Sequence, residues 1–220
     1  MINIAIDGPS GAGKSTLAKA LAKKLGYIYV DTGALYRAIG LFVRRAGIFP
    51  DESEKIIAAL PRVEVRLAYE NGEQKVLLSG EDVSSLIRTN EISAYASKVS
   101  AIPEVRDFLL DLQRNMAREN NVIMDGRDIG TVILPDADAK FFVTASEEAR
   151  IRRRYEELKA KGQNVTMEEV AQSMRERDEN DSTRKTAPAI PAADAVFIDN
   201  SGAFEDTFEK VLSIIEEKTK

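Results

Sequence analysis

The chain has no cysteine and no histidine among its 220 residues. Without thiols there is no disulfide framework and no thiolate nucleophile. Without imidazole there is no histidine base and none of the usual zinc sites. Tryptophan is also missing, aromatics make up only 6%, and the net charge is −5. That balance argues against a protein that coats nucleic acid, and leaves only local basic patches for anionic ligands. No apolar run approaches the roughly 18 residues that a membrane span needs. Met1 leads into an apolar alternation without a basic n-region, so neither a membrane span nor a secretory signal is expected. The lack of cysteine is compatible with a reducing cytoplasm, the expected location. What remains is an ordinary globular composition, 44% hydrophobic and 30% charged, of a length that suits one domain with inserts.

Against this background the stretch IAIDGPSGAGKST, residues 4 to 16, stands out. Ile2, Ile4 and Ile6 supply a strand, and Gly8 to Ser15 then fit G-x-x-x-x-G-K-S, the phosphate-loop pattern. Glycines let such a loop curl until several N–H groups face one concavity. A helix follows, with Leu17, Leu21 and Leu25 on one stripe and Gly26 as its C-cap, and it aims the positive end of its dipole at the same place. The ATP-binding residues expected on this basis are Gly8, Pro9, Ser10, Gly11, Ala12, Gly13, Lys14, Ser15 and Thr16. Lys14 would reach the β- and γ-phosphates, and Ser15 or Thr16 would touch a Mg²⁺ ion. The competing explanation, a glycine-rich turn without a ligand, does not account for strand, loop and helix arriving in this order.

Beyond the loop, apolar runs alternate with helical ones. Tyr27 to Val30 forms a short strand ending in Asp31, residues 34–45 a helix closed by Gly47, and residues 51–60 a helix stopped by Pro61. Val63, Val65 and Leu67 then alternate with charged residues, Asn71-Gly72 signals a hairpin, and Lys75 to Leu78 returns. Helical patterns resume at 90–100 and 103–119. Val122 to Met124, Lys140 to Val143 and Ala195 to Ile198 are three further strands. A charged helical stretch over 146–186, with a capping box at Thr166 and Glu169, precedes the last of them, and an amphipathic helix over 203–218 follows it. This alternation implies an α/β fold whose parallel sheet is covered on both faces, with a small antiparallel insert. Ligands then gather at the carboxyl ends of the strands, where Gly8, Asp31 and Asp125 fall.

Two features go beyond nucleotide binding. Asp125 follows an apolar strand, as a metal-supporting aspartate does in phosphate-loop proteins, directly or through water; capping the turn is the other reading. Arg150, Arg152, Arg153 and Arg154, then Arg175, Arg177, Asp181 and Arg184, crowd the charged stretch. Positions 177, 181 and 184 share one face if the helix continues that far. Arginine forks suit charge spread over phosphoryl oxygens. Nearby glutamates also allow a plain salt-bridged helix pair; the cluster as a whole favours a lid that closes over phosphates and keeps water out.

The motifs DGPSGAGKST, DTGALYRA, DGRDIGTV and RERDENDSTR together resemble those of bacterial cytidylate kinases, in order and across essentially the whole chain. The resemblance implies the three-layer fold of phosphate-loop nucleoside monophosphate kinases with five parallel strands. It divides the chain into a core (about 1–31, 101–149 and 186–220), a monophosphate-binding region (about 32–100) and a helical lid (about 150–185). The implied activity is transfer of the ATP γ-phosphoryl group to CMP or dCMP with Mg²⁺. Arg37, Arg127 and Arg184 would hold the acceptor phosphate; Ser97, Arg106 and Asp128 would read cytosine, with Thr32 nearby. Arg177 and Asp181 would meet the ribose, and Arg150, Arg153 and Arg154 would reach phosphates from the lid. Lys14, Arg127, Arg177 and Arg184 are thus the candidate catalytic residues, and Ser15, Thr16 and Asp125 the metal-side ones. ATP and CMP or dCMP are the implied partners, without nucleic acid or membrane, and a monomer is expected. Two positions depart from the family pattern. Ser15 stands where many relatives carry glycine, so the metal contact belongs to Ser15, Thr16 or both; Thr32 replaces a serine and keeps the hydroxyl.

Adenylate, thymidylate and shikimate kinases share the loop-and-lid plan and differ at the acceptor pocket. A GTPase switch lacks support because no N-K-x-D sequence occurs. An ATP-dependent nucleic-acid module would want a basic, aromatic surface that this composition does not supply.

Overall fold

A computed structural model describes residues 1–70 and 72–219. The first elements are β1 (Asn3–Asp7), α1 (Lys14–Leu25), β2 (Ile28–Asp31), α2 (Thr32–Arg45) and α3 (Ser53–Ala59). A hairpin of β3 (Val65–Glu70) and β4 (Glu73–Leu78) carries a two-residue third strand, β5 (Glu81–Asp82), that sequence patterning does not announce. Asn71, half of the hairpin signal, lies outside the described residues. Then come α4 (Asn90–Val99), α5 (Pro103–Glu119), β6 (Val122–Asp125) and β7 (Ala139–Thr144). The chain closes with α6 (Glu147–Ala160), α7 (Met167–Thr183), β8 (Val196–Asp199) and α8 (Phe204–Lys218).

The main sheet has the order β2-β6-β1-β7-β8, and every neighbouring pair is parallel. Alternation of side chains across the pleat explains its two covered faces. Ile4, Ile6, Ile123, Phe141 and Val143 point to one side, where they meet Leu17 and Leu21 of α1 and Val211 and Ile215 of α8. Ala5, Val122 and Met124 point to the other side, where they meet Ala117 of α5 and the π-helical turn Ile129–Ile133. From β1 the chain crosses to one side through α1 to β2, whereas β7 and β8 lie on the opposite side. The strand order therefore reverses beside the end of β1, where open α/β sheets bind ligands.

Two further apolar clusters lie off the sheet. The larger joins α2, α4, α5 and the hairpin through residues such as Leu35, Ile39, Val76, Ile92 and Leu109. The smaller contains only Ile151, Leu158, Val170, Ala171 and Met174, and it holds α6 to α7.

Most boundaries follow local chemistry. Asp31 caps α2 by accepting from Ala34 N–H, which starts that helix two residues before the apolar pattern does. Thr166 and Glu169 form the reciprocal capping box at the start of α7. The charged stretch is two helices, the second starting at the expected capping box, and α7 ends at Thr183. Arg184 (ψ 142°) is thus a cap residue outside the helix, so the i, i+7 argument does not account for its position.

Candidate active site

The phosphate loop takes the shape its glycines allow. A side chain at Gly8 (φ 142°) would put its Cβ 2.0 Å from the Val143 carbonyl oxygen, and one at Gly13 (φ 86°) would lie 2.3 Å from Asn200 Nδ2. Only glycine avoids both the clash and the left-handed strain. Lys14 is buried, and its ammonium donates to the Pro9 carbonyl at 2.7 Å across the loop. Burial, and then the neighbouring Arg127, lower its pKa to about 7. A cation held this way gains a great deal when an anion arrives.

Behind the lysine, the Asp125 carboxylate accepts from Ser15 Oγ at 2.7 Å and from Tyr29 Oη at 2.8 Å. Burial, and then the nearby Asp31 charge, raise the Asp125 pKa. Burial likewise lifts the Tyr29 phenol above its usual range, so this hydroxyl stays a donor. Thr32 donates its hydroxyl to the Asp125 carbonyl at 2.9 Å, which links the start of α2 to the end of β6.

Across the cavity stands a second array of charges. Arg37 Nη2 donates to both oxygens of Asp31, at 2.9 and 3.2 Å, and Arg88 reaches the same carboxylate at 3.4 Å. Burial would push the Asp31 pKa up, but Arg37, Arg88 and the Ala34 N–H outweigh it and hold it low. Arg127 donates to Asp181 at 3.0 Å, with Arg177 at 3.8 Å from the same oxygen. Asp128, only 3% exposed, pairs with Arg106 and lies 3.4 Å from Arg184. Arg106 also donates to the Ser100 carbonyl at 3.0 Å and lies over the Tyr36 ring. Burial, then neighbouring guanidinium charge, lower the pKa of both Arg177, to about 10, and Arg184.

These groups line one cavity of about 500 Å³. Eight arginines and Lys14 face it against five carboxylates, a formal surplus of four positive charges in a chain of net charge −5. Such a surplus calls for an anionic occupant. Several buried donors there lack a hydrogen-bond partner among the described residues: Arg37 Nε, Ser97 Oγ, Arg153 Nη1 and Arg177 Nε. Buried donors are rarely left unmatched, so these fit a ligand rich in acceptor oxygens.

The cytidylate kinase family model matches residues 4–217. The chain belongs to the cytidylate kinase family. It is 51% identical to the cytidylate kinase of Geobacter sulfurreducens over 99% of its length and 94% of that protein's. It is 52% identical to that of Caldanaerobacter subterraneus over its full length and 96% of that protein's. A crystal structure of an uncharacterized protein from Eubacterium ventriosum, 13% identical, shares the fold with a TM-score of 0.52, covering 98% of this chain and 99% of that one.

Most of the residues picked from sequence converge on the cavity: Ser10, Gly11, Gly13, Lys14, Ser15, Thr16, Thr32, Arg37, Ser97, Arg106, Asp125, Arg127, Asp128, Arg153, Arg154, Arg177, Asp181 and Arg184. Gly8, Pro9 and Ala12 serve behind it as loop backbone. Arg150 is placed differently from expectation. It donates to the Ser10 carbonyl at 2.9 Å and pairs with Asp178, whose other oxygen accepts from Ser10 N–H at 3.0 Å. Its guanidinium thus ties α6 and α7 to the phosphate loop from outside. Arg154 donates to Asn90 at 2.9 Å and to Glu157 at 2.8 Å.

Sequence reading missed Arg88, Tyr29, Asp7 and Asn200. Asp7 accepts from Ile129 N–H and Gly130 N–H, both at 2.8 Å, and so fixes the backbone just after Asp128. Burial is the main cause of its pKa being raised to about 6. A buried aspartate directly before a phosphate loop was the available signal. For Arg88 and Asn200, whose partners lie 57 and 188 residues away, there was none.

Proposed function

We propose that this chain transfers the γ-phosphoryl group of ATP to CMP or dCMP. The observation that carries the reading is a cavity with surplus positive charge that has a phosphate loop at one end and the buried Arg106–Asp128 pair at the other. Two anionic substrates repel each other, and a site that joins them must neutralise both. Lys14 and the loop N–H groups take the donor phosphates. Arg37, Arg88, Arg127 and Arg184 take the acceptor phosphate, and Arg153, with Nη1 unpartnered, meets the transferring group from the lid side. Arg177 and Asp181 hold the ribose. Catalysis is in-line positioning with charge stabilisation and needs no covalent intermediate, so a chain without histidine suffices.

The hydroxyl of Ser15 and the carboxylate of Asp125 are hard oxygen donors that fit a Mg²⁺ ion, directly or through water. No acidic cluster able to cage a metal exists among the described residues, which suits an ion held largely by phosphate oxygens and water. Mg²⁺ supplies charge neutralisation at the phosphates when bound.

The test is a coupled assay with ATP and a panel of acceptors: CMP, dCMP, UMP, AMP, dTMP and shikimate. CMP and dCMP are expected to be the best. A preference for AMP, dTMP or shikimate overturns the reading.

The lid reading is a separate prediction. Helices α6 and α7 share only a small apolar core, and polar bonds such as Arg150 to the Ser10 carbonyl, Arg154–Asn90 and Arg127–Asp181 tie them to the rest. Opening is therefore cheap without ligand and costly with it. A bisubstrate analogue at a hundred times its dissociation constant should slow amide exchange in both helices by up to about 100-fold. Equal protection with and without the analogue removes the lid assignment.

A further inference from the structure

Asn200 follows the last residue of β8, is 4% exposed, and does not line the cavity. Its contacts nonetheless lead there. Nδ2 donates to the Ala12 carbonyl at 2.8 Å, and the backbone N–H donates to the Thr144 carbonyl at 2.8 Å. The backbone carbonyl accepts from Arg153 Nη2 at 2.7 Å. One residue therefore joins the end of β7, the middle of the phosphate loop and an arginine of the lid.

The contact with Ala12 has a stereochemical consequence. Peptide bonds are planar, and among the described residues all are trans, so C=O and N–H of one unit point in opposite directions. Drawing the Ala12 carbonyl towards Asn200 turns the N–H of Gly13 away from Asn200, towards the cavity that Gly13 lines. That N–H donates to no group among the described residues and is free for an anion. The side-chain orientation is forced, because the flipped amide would set oxygen against the Ala12 carbonyl oxygen.

We infer that Asn200 is a positioning residue of the donor site: its amide locks the Ala12–Gly13 peptide with the N–H facing the ATP phosphates, and its backbone carbonyl sets Arg153 beside them. This rests on the reading of the loop as the ATP cradle. Asn200 touches no substrate itself. Its effect belongs to ATP alone, because its bonds reach the donor loop and Arg153 but not Asp31, Arg106 or Asp128.

The test is calorimetric binding of ATP with no acceptor present, and of CMP with no donor present, on the full chain. Asn200→Ala leaves the Ala12 carbonyl unpaired and the peptide free to turn, so ATP affinity should fall about tenfold or more. CMP affinity should stay within about threefold. Asn200→Ser keeps a donor, if a shorter one, and should recover part of the loss; it also serves if the alanine variant melts near assay temperature. Asn200→Asp faces the carbonyl with a second oxygen and should bind ATP at least as poorly as the alanine variant. An alanine variant that binds ATP within threefold of wild type overturns the inference, as does equal weakening of ATP and CMP. Wild type that binds no ATP removes the cradle reading itself, and the two failures are thereby distinguished.

Discussion

Lys14→Ala is expected to lose phosphoryl transfer by about a thousandfold or more while the fold stays intact. Removing one neutral donor from a charge-stabilising site costs roughly 10²–10³ in turnover, and an ammonium makes stronger, charge-assisted bonds. Without ligand the Lys14 charge sits beside Arg127, and burial already disfavours it, which is why its pKa falls to about 7. Its only hydrogen bond among the described residues goes to the Pro9 carbonyl of the same loop. The residue is therefore a burden to the empty protein and an asset to the occupied one, so its removal should leave the melting temperature unchanged or higher. Lys14→Met, closer in volume, controls for packing and should behave alike. Single-turnover kinetics with CMP, together with circular dichroism melts, decide the matter. Near-normal turnover in either variant would show that another group carries the γ-phosphoryl charge.

That lysine was legible in the sequence because everything that defines it is local. Strand, glycines, lysine and periodic helix lie within residues 3–25, and the curl of the loop is allowed by its own glycines, although the setting of its Ala12–Gly13 peptide depends on distant Asn200. The five strands were legible for the same reason, each being a short apolar run. The residues proposed to bind the acceptor were less so. Arg106 and Asp128 are 22 residues apart, and only the packing of α5 against the turn after β6 brings them together. The π-helical turn Ile129–Ile133 has no periodic signature, being held from outside by Asp7. Arg184 was expected on a helical face and instead reaches Asp128 from beyond the helix end. Arg150 shows the limit from the other side: the resemblance implies a phosphate contact for it, and the bonds it makes here, to Asp178 and the Ser10 carbonyl, could not be read from sequence. Charge type is written in sequence, but the partner that consumes the charge is set by the fold.

Asp128→Ala is expected to abolish the discrimination between CMP and UMP. Cytosine offers an exocyclic amine, a donor that an ionised carboxylate accepts, and acceptors at N3 and O2 that an arginine can serve. Uracil would instead turn a carbonyl towards the carboxylate and a protonated N3 towards the arginine. Asp128 and Arg106, buried together at the acceptor end, carry this complementary pair of charges. The existing bond to Arg106 and the longer approach of Arg184 do not exhaust the carboxylate, which has about four acceptor positions. A structural ion pair and a base reader can thus be the same residue. Each buried mismatch costs on the order of 1–3 kcal/mol, so wild type should prefer CMP over UMP by at least about tenfold in kcat/KM. The alanine variant should lose CMP activity by about the wild-type CMP/UMP ratio, tenfold or more, and UMP activity far less, which brings the ratio near one. It also leaves the buried Arg106 guanidinium without its carboxylate, at about 3–5 kcal/mol, so part of the preparation is expected to be unfolded. The ratio is immune to that loss, because both substrates sample the same folded molecules. Asp128→Asn keeps the volume and one carbonyl acceptor, and should retain more of the fold with a ratio between those of wild type and the alanine variant. If either variant keeps the wild-type ratio while its absolute rates fall, Asp128 supports the site without reading the base, and specificity lies with Ser97 or Arg106 alone.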